Sequence, residues 1–347
     1  MADVLRLKIC HWRRRKGGFG LPEQLPVINV VAAIIEKDGL VFAARRSPGQ
    51  HLAGYWEFPG GKIEPGESHR VALQRELKEE LDIAAAIGAC VGETVFDYGD
   101  KVIRLHAYAV NHVSGEFHLT DHDEFCWLAP EALGTLTWAP ADIPLVDMYR
   151  ATWRTLAYYD ANAVEYASAT RQLAMQPIYN KFLPQLKSGD SILDLGCGAG
   201  RDAKHFLALG FDVTPVDGSA VLAATASAYL GRHVEVVQFQ ALEYEAFFDA
   251  VWACASLLHV PKSQLDFVLR RALAALKPNG LAYMSFKWGE NETVDDKGRY
   301  FNNYTDVSLA KVAAALPGVS VIDIWINDTP QGEQTQRWVN AVIRKQG

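Results

Sequence analysis

Gly61-Lys-Ile-Glu-Pro-Gly-Glu-Ser-His-Arg-Val-Ala-Leu-Gln-Arg-Glu-Leu-Lys-Glu-Glu-Leu-Asp-Ile83 is the stretch on which the reading of this chain turns. Ser68 to Leu81 is rich in Ala, Leu, Gln, Arg, Glu and Lys and reads as a helix. On a helix, positions 76, 79 and 80 stand i, i+3 and i+4 apart, so Glu76, Glu79 and Glu80 share a face. Three carboxylates on one face repel one another, and a cation relieves that repulsion. All-oxygen ligands suit Mg2+ or Mn2+. Glu67, just before the helix, reaches the same cluster, and Arg75 is placed to pair with one of its carboxylates. The bland alternative is a solvated acidic helix face.

Upstream, Val27 to Glu36 is a β-rich apolar run, Lys37-Asp38-Gly39 is a hairpin signal, and Leu40 to Ala44 returns as the partner strand. Runs near Val91–Tyr98 and Val102–Asn111 add two strands. Ala139-Pro-Ala-Asp-Ile-Pro144 leads into a helix expected to end near Arg154, and a short helical connection near Tyr149–Tyr166 is expected to join the halves.

Spacing across the quoted stretch runs Gly61, five residues, Glu67, seven residues, Arg75-Glu76-Leu77, then Glu79-Glu80. It resembles the Nudix box, and Trp56-Glu-Phe-Pro-Gly-Gly-Lys62 precedes it as in family members acting on nucleoside triphosphates. Asp82 stands where the family usually has Gly. As a helix C-cap, that site tolerates Asp in the left-handed conformation. The resemblance spans residues 27–150 and implies an α/β/α sandwich. It implies that Glu76, Glu79 and Glu80 hold the metal with Glu67 in support, that Glu76 and Glu79 are catalytic, and that Arg46 and Lys62 contact substrate phosphates. Leu128-Ala-Pro and Leu136-Thr-Trp-Ala-Pro-Ala-Asp-Ile-Pro-Leu145 resemble the CTP pyrophosphohydrolase and 8-oxo-dGTP diphosphatase branch. There Asp142 matches a base-reading position; its alternative is a plain cap of the following helix.

From about Leu156 the pattern changes. Strand-like runs at Ser191–Leu195, Phe211–Val216, Val234–Gln238, Phe248–Ala253 and Leu281–Phe286 alternate with helical segments, the signature of a parallel doubly wound sheet. Val319–Trp325 and Arg337–Arg344 read as a hairpin, so the final strand is expected to run antiparallel. Leu193-Asp-Leu-Gly-Cys-Gly-Ala-Gly-Arg-Asp202 places a glycine-rich turn after the first of these strands. A dinucleotide fingerprint needs a third glycine where Arg201 stands. The GxGxG form resembles the S-adenosylmethionine loop of a class I methyltransferase. That resemblance covers residues 156–347 and implies a Rossmann-like seven-stranded fold of the tellurite-resistance-like branch. Its implied cofactor residues are Asp194, Gly196, Gly198, Gly200 and Asp217, with Asp217 on the ribose hydroxyls. Tyr166 and Arg171 are placed to cover the cofactor. Phe248 to Pro261 resembles the fourth-strand region, where His259 is either a general base or a packed histidine. Ser285-Phe-Lys-Trp288 and Gly298-Arg-Tyr-Phe301 resemble substrate-side loops.

A length of 347 residues favours two domains, and 49% hydrophobic content supplies two cores. A formal charge of −7 does not invite nucleic acid or anionic membranes. Five scattered cysteines without a CxxC pair indicate neither zinc nor a disulfide framework, so a reducing cytoplasm is the simplest compartment. No apolar run approaches the ~18 residues of a membrane span. Residues 1–26, with Arg13-Arg14-Arg15-Lys16, read as a basic flexible tail or as an RNA-binding or targeting arm.

The expectation is therefore two enzymes in tandem. One is a Mg2+-dependent nucleoside triphosphate pyrophosphohydrolase, and the other is an S-adenosylmethionine-dependent methyltransferase acting on a small molecule or nucleotide. Neither half is expected to borrow residues from the other. The alternatives are a methyltransferase regulated by a nucleotide-sensing first half, and an RNA-modifying methyltransferase guided by the tail.

Overall fold

The computed structural model describes residues 25–331 and 334–347. The expected basic tail lies, as far as residue 24, outside the described residues.

Strands β1 (Val27–Lys37) and β2 (Leu40–Arg46) form the expected hairpin. Its two-residue turn puts Asp38 at φ 52° and Gly39 at φ 76°, the left-handed pair whose twist matches the flanking strands. Then follow β3 (Trp56–Glu57), β4 (Gly60–Lys62), helix α1 (His69–Leu81), β5 (Ala84–Asp97), β6 (Val102–Ser114), β7 (His122–Leu128) and helix α2 (Ile143–Thr170). The sheet order is β3-β2-β1-β6-β5, with β4 added to β1 and β7 to β2. Strand β1 alternates between two cores. Val31, Ala33 and Ile35 join Ala72, Leu73, Leu77 and Leu81 of α1, while Ala32 and Ile34 join Leu145, Val146 and Met148 of α2. The sheet is thus covered by a helix on each face, as a buried β1 requires.

The second sheet follows α3 (Gln176–Phe182). It is built from β8 (Ser191–Leu195), α4 (Arg201–Ala208), β9 (Asp212–Asp217), α5 (Ala220–Leu230), β10 (Glu235–Val236), β11 (Phe248–Ala253), α6 (Lys262–Ala275) and β12 (Leu276–Lys287). A small hairpin, β13 (Glu292–Val294) and β14 (Tyr300–Asn302), precedes α7 (Asp306–Ala315), β15 (Val319–Gln331) and β16 (Gln334–Lys345). The order is β10-β9-β8-β11-β12-β16-β15, and β16 runs antiparallel to both neighbours, as the hairpin reading expects. Strand order reverses between β8 and β11, and such a switch point opens a crevice at the carboxyl ends of the strands.

Two expectations need correction. Helix α2 does not end near Arg154 but continues to Thr170, with non-helical angles only at Asn162. Residues 145–170 contain neither Pro nor Gly and are rich in Ala, so nothing stops the helix. The halves are also not independent. Strand β5 is the edge of the first sheet, and the fully buried Gln264 of α6 closes that edge. Its Nε2 donates to Glu93 O at 2.7 Å and its Oε1 accepts from Glu93 N at 3.2 Å. Around this contact Cys90 and Tyr108 share one apolar core with Leu242, Leu265 and Phe267. Among the described residues no helix is long and apolar enough to cross a membrane.

Candidate active sites

Helix α1 carries the first site. Ser68 caps its start, its Oγ accepting from Val71 N, and Asp82 ends it at φ 55°, the left-handed cap that the sequence implies. Arg75 is the centre of the acidic cluster. Its Nε and Nη2 donate to the two oxygens of Glu67, both at 2.9 Å, and its Nη1 reaches Glu76 at 2.9 Å and Glu79 at 3.2 Å. Hydrogen bonding to Arg75 holds the Glu67 carboxyl down at about 2. Among the described residues no three acidic, His or Cys side chains converge as a ready metal cage. Arg75 gathers Glu67, Glu76 and Glu79, and Glu80 points inward from the same helix.

Glu80 is the distinctive group. One oxygen accepts Gly60 N at 3.1 Å. Burial, then the charges of Glu57, Glu76 and Asp121, push its carboxyl up to about 8. A Cβ on Gly61 would sit 2.3 Å from the Glu76 carboxyl carbon, so glycine there lets backbone and carboxylate approach. Four carboxylates, three held by Arg75 and a fourth, Glu80, with no cation bonded to it among the described residues, are a donor set that fits a hard divalent ion.

Beside it, Glu57 bridges two groups, accepting from Arg46 Nη1 through one oxygen and meeting His122 Nε2 at 2.9 Å through the other. Arg46 also donates to His51 O at 2.7 Å, and the Lys62 side chain is exposed. Asp142 lies buried just before α2. It makes no side-chain cap; its Oδ1 accepts Phe58 N at 3.1 Å across 84 residues of sequence. The plain-cap alternative is thereby excluded. Burial, then Glu57, raises its carboxyl well above the usual range.

The second site lies at the switch point. Gly196, at φ 79°, packs so closely that a Cβ would meet Ser256 Cβ at 2.5 Å. Asp217 anchors the loop, accepting Gly198 N and Ser219 N, each at 2.8 Å. Burial lifts its carboxyl to about 6. A cavity opens here, lined by Gly196, Gly198, Asp217, Gln238 to Gln240, Ser256, His259 and Tyr166. Thr152, Thr155, Leu156 and Tyr159 of α2 complete the wall. These four stand at i, i+3, i+4 and i+7, a helical face whose pattern could have been read from the sequence.

Asp194, Gly200 and Arg171 do not line this cavity. Asp194 is buried against Asp202 and Arg201, and its Oδ2 has no hydrogen-bond partner among the described residues. Arg171 clamps the loop from outside, donating to Ala199 O at 3.2 Å and Thr225 O at 3.3 Å and stacking on Tyr229. His259 has both nitrogens engaged: Nδ1 with Tyr300 O at 2.7 Å and Nε2 with Tyr159 Oη at 2.8 Å. A carbonyl only accepts, so Nδ1 carries the proton and Nε2 accepts from Tyr159. Burial depresses the imidazolium to about 4, so His259 is neutral. Glu57, His122, Thr155 and Tyr159 are absent from the sequence expectations.

Residues 25–149 match a family model described as NUDIX domain, and residues 166–304 match one described as methyltransferase domain. The CTP pyrophosphohydrolase of Escherichia coli (strain K12) is 43% identical over 127 residues, covering 37% of this chain and 94% of that protein. The ubiquinone biosynthesis O-methyltransferase of Xanthomonas oryzae pv. oryzae (strain PXO99A) is 28% identical over 179 residues, 50% of this chain and 62% of that protein. Among solved structures, 1,6-didemethyltoxoflavin-N1-methyltransferase of Burkholderia thailandensis, with bound 1,6-didemethyltoxoflavin and S-adenosylhomocysteine, is 23% identical with a TM-score of 0.47. It covers 57% of this chain and 91% of that one.

Proposed function

Through residues 25–149 the chain belongs to the Nudix hydrolase family, and a class I methyltransferase domain follows; from that premise we propose that one protein carries both chemistries. The first is hydrolysis of a nucleoside triphosphate, CTP-like or a modified dNTP, to the monophosphate and pyrophosphate. The observation that carries it is Glu80, a buried carboxyl among Glu57, Glu76 and Asp121. In this reading Glu76, Glu79 and Glu80 hold Mg2+ or Mn2+, with Glu67 in support. The ion, when bound, supplies charge neutralisation on the phosphates and an acidified water. Arg75 fixes the rotamers of Glu67, Glu76 and Glu79. Arg46, oriented by Glu57, and Lys62 receive the phosphates. Asp142, its carboxyl raised by burial, meets the base, accepting when ionised and also donating when protonated, which suits cytosine or an oxidised purine.

The second chemistry is methylation of a small-molecule or nucleotide acceptor. S-adenosylmethionine, when bound, supplies the methyl electrophile. Gly196 and Gly198 admit it against the backbone, Asp217 meets the ribose, and Asp194 stands behind the loop with a free oxygen. Gly200 shapes the turn and Arg171 braces it. His259 and Tyr159 shape the acceptor side, because a neutral, doubly bonded imidazole positions more than it abstracts. The protein's part is orientation and exclusion of water. The free cysteines at 90, 126, 197 and 254 fit a reducing, cytoplasmic setting.

The test is pyrophosphate release from CTP and modified dNTPs with Mg2+, together with calorimetry of S-adenosylhomocysteine. Glu79→Gln should abolish the first and spare the second. A chain that binds nucleotide without releasing pyrophosphate would favour the sensor alternative.

A further inference from the structure

Lys287 closes β12 at the carboxyl end of the second sheet, next to the strand whose carboxyl end leads to Ser256 and His259. Its Nζ lies 3.5 Å from the centre of the Phe301 ring. Two other groups converge on that ring. The Arg299 guanidinium carbon is 5.1 Å from its centre, and the His259 ring is 5.0 Å from it. Arg299 is already neutralised, donating to Asp295 Oδ2 at 2.9 and 2.8 Å and lying over Tyr158. Lys287 has no carboxylate partner and no hydrogen-bond acceptor among the described residues.

This is an unusual place for a lysine. The side chain is half-buried, so its ammonium has lost part of its hydration. A phenylalanine face returns only part of that cost. The nearest charges are Arg299, which repels it, and Asp295, which Arg299 already occupies. Lys297 lies over the other aromatic ring, Tyr158, and His259 is neutral and adds no charge. The charges that act on Lys287 are therefore one cation, Arg299, and one carboxylate that this cation already pairs, beside the cavity that His259 lines.

We propose that Lys287, backed by Arg299 on the Phe301 ring, binds an oxyanion carried by the methyl acceptor. The inference rests on the methyl-transfer reading of this cavity and adds the chemical class of its second substrate. An ammonium is a compact point charge that receives carboxylate and phosphate alike, so the shared chemistry is a small acceptor bearing either group. Docking such an anion supplies the partner that Lys287 lacks and fixes the acceptor at the mouth beside His259.

The experiment uses the full chain saturated with S-adenosylhomocysteine and calorimetry with three probes of one shape: benzoate, phenyl phosphate and neutral benzamide. At least one anion should bind no less than tenfold more tightly than benzamide, and the preferred one identifies carboxylate or phosphate. Lys287→Met should remove that preference, and Lys287→Arg should restore most of it. Equal binding of anions and benzamide, an unchanged preference in Lys287→Met, or no anion binding would overturn the proposal. Should Lys287→Met not fold, the titration of Lys287 in the reductively 13C-methylated wild type decides, its signal assigned by its absence in Lys287→Arg. A rise in its pKa with the bound anion supports the site, and an unmoved titration overturns it. A wild type that fails to bind S-adenosylhomocysteine fails the methyl-transfer reading itself; one that binds it and ignores the anions fails only this inference.

Discussion

Glu80 carries the clearest consequence at the scale of single residues. Its carboxyl is held at about 8, above the ordinary glutamate value of 4.5, so the fold favours the protonated form. That contribution is full below the unfolded pKa and is lost as pH rises through the folded one. In chelator, Glu80→Gln should melt close to wild type near about pH 5 and above it near about pH 9. Mg2+ added near about pH 8 should raise the wild-type Tm more than that of the variant. Equal melting curves across this range would remove the buried charge. Asp142 gives a second prediction. Asp142→Asn keeps an oxygen for Phe58 N, whereas Asp142→Ala leaves a buried amide unpaired, a cost of about 1–3 kcal/mol. Denaturant melts separate the two, and the ratio of kcat/KM for CTP and GTP should narrow in Asp142→Ala. An unchanged ratio would leave Asp142 a purely structural residue. The acids and Arg75 were legible because i, i+3 and i+4 spacing is local. The Glu57–His122 contact spans 65 residues and leaves no local pattern.

Helix α2 dominates at the scale of elements. Its first turns cover the sheet that carries the hydrolase site, and its middle turns wall the methyltransferase cavity. Most elements were legible from apolar periodicity and turn signals. The sequence reads this helix as two pieces, one ending near Arg154 and a short connection near Tyr149–Tyr166, although no helix-stopping residue separates them. The small β13–β14 hairpin was missed because two three-residue strands are too short to show alternation. The expectation that neither half borrows residues from the other does not hold at the second cavity, which Thr152 and Thr155 of α2 help to wall. A chain beginning at Leu156 lacks Thr152 and Thr155, and Thr155 Oγ1 accepts Tyr300 N of β14, whose carbonyl in turn accepts from His259 Nδ1. Its affinity for S-adenosylhomocysteine should fall at least about tenfold, on the scale of one lost hydrogen bond with an unpaired donor. Calorimetry showing full-length affinity in the shortened chain would contradict this role for α2.

At the scale of the molecule, the halves share a core and a sealed sheet edge. Gln264 and Glu93 are 171 residues apart, so no motif announces their contact. Gln264→Ala should leave both backbone groups of Glu93 without their partner and lower the melting temperature of both halves together in a calorimetric scan. Two transitions, with only one displaced, would show that the interface carries no stability. The central claim is that one chain holds two separable catalytic centres. The most direct measurement compares wild type, Glu79→Gln and Asp217→Ala as full-length proteins, each assayed for Mg2+-dependent pyrophosphate release from CTP and for S-adenosylhomocysteine binding. Wild type should show both. Glu79→Gln should lose pyrophosphate release by more than the roughly 10–100-fold typical of a partner one layer outside a metal's ligands, and keep binding. Asp217→Ala should do the reverse. Loss of both properties in either variant, or of neither in both, would contradict the account.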